Sequence, residues 1–139
     1  MLYMKLQKKD KEFYIELMKN FRPLDENMTR EKFNEIYDKI FNSGCIIVCK
    51  EDQKIVGSIT VILEYKFINN FAIYGHIEDV FVDENYRHKK IGRSLVENAI
   101  DYCKQNKCFK VSLNCNEKLE NFYSLNGLEN RQINMSKLI

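Results

Sequence analysis

Gly75-His76-Ile77-Glu78-Asp79-Val80-Phe81-Val82 runs into Asp83-Glu84-Asn85-Tyr86 and then into Arg87-His88-Lys89-Lys90-Ile91-Gly92-Arg93. The segment reads as a strand bearing two carboxylates, a short polar turn, and a basic stretch that opens a helix. Downstream, Ile91, Leu95, Ala99, Ile100 and Cys103 form an apolar stripe close to helical spacing. This order suits a phosphorylated ligand, because first-turn amides have no partners inside the helix and the dipole is positive at that end. Taken alone, Arg87-His88-Lys89-Lys90 reads equally well as a solvated charge run. Neighbours on a regular strand point to opposite faces, so Glu78 and Asp79 share a pocket only if the strand bulges or two subunits meet there.

Outward from this segment, composition bounds the chain. Its 139 residues fit one domain over 1–139, and 45% apolar content rules out a disordered chain. A net charge of +2 and the lack of a wider basic face or exposed aromatic series argue against a nucleic-acid-binding module built on 87–93. No apolar run is long enough to cross a bilayer and no charged-then-apolar leader begins at Met1, so the expectation is a soluble, cytoplasmic protein. Cys45, Cys49, Cys103, Cys108 and Cys115 are odd in number and lack metal-site spacing. Free structural thiols and no metal are expected.

In chain order, Leu2–Gln7 reads as a first strand, and Phe13, Leu17 and Phe21 mark one face of a helix that stops before Pro23. Thr29 is a candidate N-cap for a second helix ending at Ser43-Gly44. Strands follow over 45–50 and 55–67, with a turn at Asn69-Asn70 before the strand that ends at Val82. After a helix over 91–106 come a buried strand over 109–114, a helix capped at Asn116 carrying Leu119, Phe122 and Tyr123 on one face, and a last strand over 131–139. The predicted class is α/β (α+β): a central mixed, mostly antiparallel sheet of about six strands flanked by about four helices. It lacks the strand–helix alternation of a doubly wound fold.

The central segment resembles the motif Arg/Gln-x-x-Gly-x-Gly/Ala of the GNAT superfamily of N-acetyltransferases, and the resemblance covers nearly the whole chain. Within it, Gly75-His76-Ile77-Glu78-Asp79 and Phe122-Tyr123 are similar to the branch that acetylates glucosamine 6-phosphate. Lys90 stands where the first glycine is usual, which favours that branch. The resemblance implies that acetyl-coenzyme A pairs with the backbone of Val80, Phe81 and Val82. Its diphosphate would rest on the amides of His88, Lys89, Lys90, Ile91, Gly92 and Arg93, with Arg87, Asn121 and Tyr123 also at the coenzyme. Tyr123, nine residues after Asn114, would donate a proton to the departing thiolate; unaided, Phe122-Tyr123 reads as the aromatic face of a core helix. The Asn114 backbone carbonyl would orient the attacking amine, although relatives carry an acidic residue at this position.

For the acceptor, the same resemblance implies Glu78 and Asp79 as sugar ligands, with Lys66 and Phe67 of Lys66-Phe67-Ile68 in the phosphate pocket. The family's loop threonine is missing near Arg22-Pro23-Leu24, and its C-terminal basic position falls on Leu138, so Arg22 and Lys137 are the substitutes available. The implied activity is acetyl transfer to glucosamine 6-phosphate by direct attack, on the route to UDP-N-acetylglucosamine, by a homodimer whose last strand packs on a second subunit. Two rivals share the coenzyme site. One is an acetyltransferase for a protein N-terminus or lysine, with Glu78 as its base; the other is a non-catalytic acetyl-coenzyme A-binding module.

Overall fold

A computed structural model describes all residues 1–139. Five strands lie in the order β1-β2-β3-β4-β5: β1 (Leu2–Lys5), β2 (Gly44–Glu51), β3 (Lys54–Tyr65), β4 (Ile73–Val82) and β5 (Lys110–Leu113). All neighbours are antiparallel except β4 and β5, which run parallel. The helices are α1 (Lys11–Met18), α2 (Arg30–Asn42), the single turn α3 (Ile68–Phe71), α4 (Ile91–Gln105) and α5 (Glu120–Ser124). The architecture is the expected α/β class, with five strands instead of about six and five helices instead of about four.

Alternation along β2 shows how the layers form. Cys45, Ile47 and Cys49 face a core shared with Leu95, Val96 and Ala99 of α4, while Ile46 and Val48 face Leu17 of α1 and Phe33 of α2. Burial on both faces explains the unbroken apolar run of this strand. Thr29 caps α2 as expected, its hydroxyl accepting from the Lys32 amide at 3.0 Å. Asn69 and Asn70 form the expected turn with φ of 52° and 57°, a region in which asparagine is tolerated. Between α1 and β2, Lys50 Nζ lies 2.8 Å from Asp10 Oδ1, with side chains only 10% and 6% exposed.

Three expectations need correction. Residues 131–139 form no strand: no neighbouring edge pairs with them, and Ile133, Met135, Leu138 and Ile139 stand almost fully exposed. The fifth strand is shorter than 109–114 and none of its residues is buried, because β5 is the sheet's outer edge; Phe109 instead lies against Tyr74 with ring centroids 5.9 Å apart. In α1, Leu17 is buried with Tyr14 and Met18 packed beside it, but Phe13 at the outer margin of that face is exposed, and the helix ends at Met18, well short of Pro23, so Phe21 lies beyond it.

Candidate active site

The carboxylate strand does bulge. Thr60 of β3 pairs with Glu78, yet Ser58 pairs with Phe81, so Asp79 and Val80 together oppose Ile59. Asp79 takes a left-handed φ of 51°, which absorbs the extra residue. Before the bulge, Ile73 and Ile77 pack into the α4 core and His76 lies on the other face; after it, Val80 and Val82 join the α4 core and Phe81 turns to the α1 side. Glu78 and Asp79 are therefore adjacent, both exposed, at the point where the strand changes phase.

The same point opens the sheet. Pairing between β4 and β5 runs from Tyr74↔Lys110 to Ile77↔Leu113 and stops, so Glu78–Val82 has β3 on one side and no strand on the other. Unpaired edge amides and carbonyls there are ready to pair with an extended ligand. At the end of this slot, His88 (φ 67°) and Lys90 (φ 61°) bracket Lys89 ahead of α4. None of the amides from His88 to Arg93 donates to an acceptor within the protein. Amides gathered by alternating backbone conformations at a helix N-terminus form an anion-binding nest. Gly92 allows the close approach that seals it: a Cβ there would come 3.2 Å from Phe122 Cζ and 3.8 Å from Val82 Cγ2. The basic side chains do not converge on the nest. Arg87 lies 4.0 Å from Glu84, Lys89 sits over the Tyr86 ring, and Arg93 Nε donates to Glu97 at 3.0 Å.

Tyr123 on α5 is buried in the α4-side core, edge-on to Phe122 with centroids 4.9 Å apart. Its hydroxyl has no protein partner and is not sealed from solvent. Burial pushes its pKa above the usual phenol value, and the nearby Cys115 thiol adds to the effect. The side chain thus stays a protonated acid throughout the neutral range. Asn114 is exposed just past the end of β5, and Asn121 is exposed on α5.

The acceptor-side residues are less gathered. Lys66 is ion-paired with Glu64 and sits 5.0 Å over the Tyr74 ring, whereas Phe67 is 91% exposed at the β3–β4 turn. Arg22 Nη1 donates to the Phe21 carbonyl, and the Phe21 ring stacks on Phe81 at 5.1 Å, which brings the loop against the end of β4. Lys137 makes no ion pair and belongs to the unpaired C-terminal segment. No cluster of three or more His, Cys, Asp or Glu is disposed around a metal-sized site. Sequence reasoning passed over His76, whose Nδ1 lies 2.9 Å from Ser112 Oγ. The cue was period-two alternation, which puts His76 on the face of Glu78.

A slot between parting parallel strands, ending on free amides at a helix start, is a site for an extended, phosphate-bearing acyl carrier, and the chain belongs to the acetyltransferase (GNAT) family, matched over residues 10–128. The family read from the central segment is thus borne out. The chain is 37% identical over 116 residues to glucosamine 6-phosphate N-acetyltransferase of Arabidopsis thaliana, covering 80% of this chain and 78% of that protein. It is 31% identical over 117 residues to glucosamine 6-phosphate N-acetyltransferase 1 of Dictyostelium discoideum, covering 81% and 74%. The crystal structure of the Arabidopsis thaliana enzyme matches with a TM-score of 0.91 at 35% identity, covering 99% of this chain and 97% of that one.

Proposed function

We propose that the protein is a glucosamine 6-phosphate N-acetyltransferase, one catalytic domain over 1–139 that transfers acetyl from acetyl-coenzyme A to the sugar 2-amino group. The observation that carries this reading is the open edge of β4, which runs from the bulged Glu78-Asp79 pair toward six unpaired amides ahead of α4. Likeness to the Arabidopsis thaliana and Dictyostelium discoideum enzymes supports it. The edge of Val80, Phe81 and Val82 pairs with the pantetheine arm, and the nest from His88 to Arg93, with Arg87 and Asn121 at its rim, holds the diphosphate. A main-chain amide in β4 faces the thioester oxygen and stabilises the charge that develops there. Glu78 and Asp79 hold sugar hydroxyls, and the Asn114 carbonyl orients the amine. Tyr123 returns a proton to the coenzyme sulfur as the C–S bond breaks.

The phosphate falls to Lys66, with Phe67, Arg22 and Lys137 around it. Lys137 lies in a segment whose Ile133 and Leu138 are 90% and 98% exposed in one protomer, beside no strand of its own. Burial of that segment on a second copy, together with Phe67, Ile68 and Phe71, favours a homodimer. Sedimentation as a monomer at micromolar concentration would contradict it. We place the enzyme in the cytoplasm, on the route to UDP-N-acetylglucosamine.

The test is thiol release from acetyl-coenzyme A with glucosamine 6-phosphate, glucosamine and amino-terminal or lysine peptides. A clear preference for the phosphorylated sugar is expected. Equal or better turnover of peptides would favour the protein-acetylating rival, which the loss of the loop threonine and of the C-terminal basic residue recommends. Binding of acetyl-coenzyme A with no turnover of any amine would leave the non-catalytic module.

A further inference from the structure

One polar line crosses the sheet outside the roles assigned above. Ser112 Oγ on β5 lies 2.9 Å from His76 Nδ1 on β4, and His76 Nε2 lies 3.5 Å from Glu64 Oε1 on β3. The register makes it: Ser112 is the direct partner of His76, and Glu64 reaches in diagonally, two residues past Ile62. The line sits one residue short of the end of the β4–β5 pairing at Ile77↔Leu113. Glu78 and Asn114 each follow two residues later, roughly 7 Å along their strands. An ionised carboxylate can only accept, so a ring proton on Nε2 would face Glu64 Oε1, which Lys66 also reaches, and would leave Nδ1 to accept from the Ser112 hydroxyl. The charged and titratable groups around the ring are Glu64 and Lys66 from β3, Lys110 from β5, and Tyr74 and Glu78 on its own strand.

We propose that Ser112 and His76, backed by Glu64, form the route by which the attacking amine loses its proton. The inference rests on the amino-sugar acetyltransferase reading and deepens it. An ammonium group carries three protons and the amide product keeps one. One of the two lost protons replaces the one Tyr123 gives to the thiolate; the other must leave the site. Neither β5 nor Asn114 just beyond it offers a carboxylate for it. The Ser112 hydroxyl passes its proton to Nδ1 and takes one from the amine, after which the nitrogen attacks the acetyl carbon and the C–S bond breaks. The imidazolium is stabilised by Glu64 and, being about a third exposed, discharges to solvent. His76 acts through Ser112 and is a positioning residue; Ser112 alone meets the amine.

The experiment measures kcat and KM against pH with glucosamine 6-phosphate and acetyl-coenzyme A for the wild type, His76→Gln, Ser112→Ala and Ser112→Thr. Loss of the relay lowers kcat about 100-fold in His76→Gln and Ser112→Ala and leaves KM for acetyl-coenzyme A within about twofold. Ser112→Thr, which keeps the hydroxyl, recovers most of the loss. A His76→Gln enzyme within about threefold of wild type at every pH overturns the relay; if that variant fails to fold, Ser112→Ala decides by the same criterion. Imidazole nitrogen NMR of the ligand-free wild type reads the arrangement without activity: a neutral ring protonated on Nε2 supports it, and one protonated on Nδ1 overturns it. Wild-type protein that acetylates none of the amines removes the parent reading and the relay together, whereas an active wild type with the Nδ1 tautomer removes the relay alone.

Discussion

Tyr123 combines a ring in the core with a hydroxyl bonded to nothing in the protein. Tyr123→Phe therefore costs little stability while removing the proton donor: kcat is expected to fall about 100-fold or more at nearly unchanged melting temperature. An unchanged single-turnover rate would take the acid role from it. Because burial raises its pKa, its deprotonation limb in kcat belongs above pH ~10. Lys90 offers a second test. It sits at φ 61°, a geometry costing about 1–2 kcal/mol for a residue with a Cβ. Lys90→Gly should raise the melting temperature and leave acetyl-coenzyme A affinity within about twofold by calorimetry, since the nest is built from amides. Tyr123 and the Glu78-Asp79 pair were singled out by the family resemblance, and the bulge between the two carboxylates by the strand's alternation. The His76–Ser112 contact was not, because it depends on the register of β4 against β5, which no local pattern specifies.

Among the elements, the tie between the start of α1 and the end of β2 is the most exposed to mutation. Asp10 and Lys50 are both buried, and Asp10 Oδ2 has no partner, so the pair has little to spare. Asp10→Ala leaves a buried ammonium alone and should cost about 3–5 kcal/mol in urea unfolding. Replacing both, as in Asp10→Leu with Lys50→Met, should recover most of that loss; a double variant as unstable as the single one would contradict this account. Elements with strong local signals were readable: α2 from its Thr29 cap, the β3–β4 turn from two asparagines, α4 from its apolar stripe. The length of α1 was misjudged because Phe13, Leu17 and Phe21 share a helical spacing that the chain abandons after Met18, although Leu17 does pack inward. The final segment has a strand's alternation, but alternation alone does not seat a strand, and the segment leaves the open outer edge of β5 unpaired.

For the molecule as a whole, acidic groups buried in uncharged form set its response to alkali. Burial raises the thiols of Cys45 to about 11 and Cys103 to about 12, and the phenols of Tyr14 and Tyr102 to about 12. The unfolded chain gives up these protons near pH ~8.5 for thiols and ~10 for phenols, while the folded one retains them. Their contribution is therefore full below pH ~8.5 and lost as pH rises through 11 to 12. Melting temperature should decline steadily from about pH 9 upward, and a flat profile to pH 11 would show that these groups are not held in the packed core.

The extra residue in β4 works like a dropped beat in a two-step rhythm. Every side chain after it falls on the opposite foot, which is why Val80 and Val82 reach the core while Phe81 leaves it. Excising Asp79 would not undo that step, because the sequence shortens by the same one residue: Ile77, Glu78, Val80, Phe81 and Val82 would then alternate without a break, with both valines still inward. Deletion would thus leave the packing in place while ironing out the kink and removing one carboxylate. A chain lacking residue 79 should melt close to the wild type by calorimetry yet lose its hold on the amino-sugar acceptor.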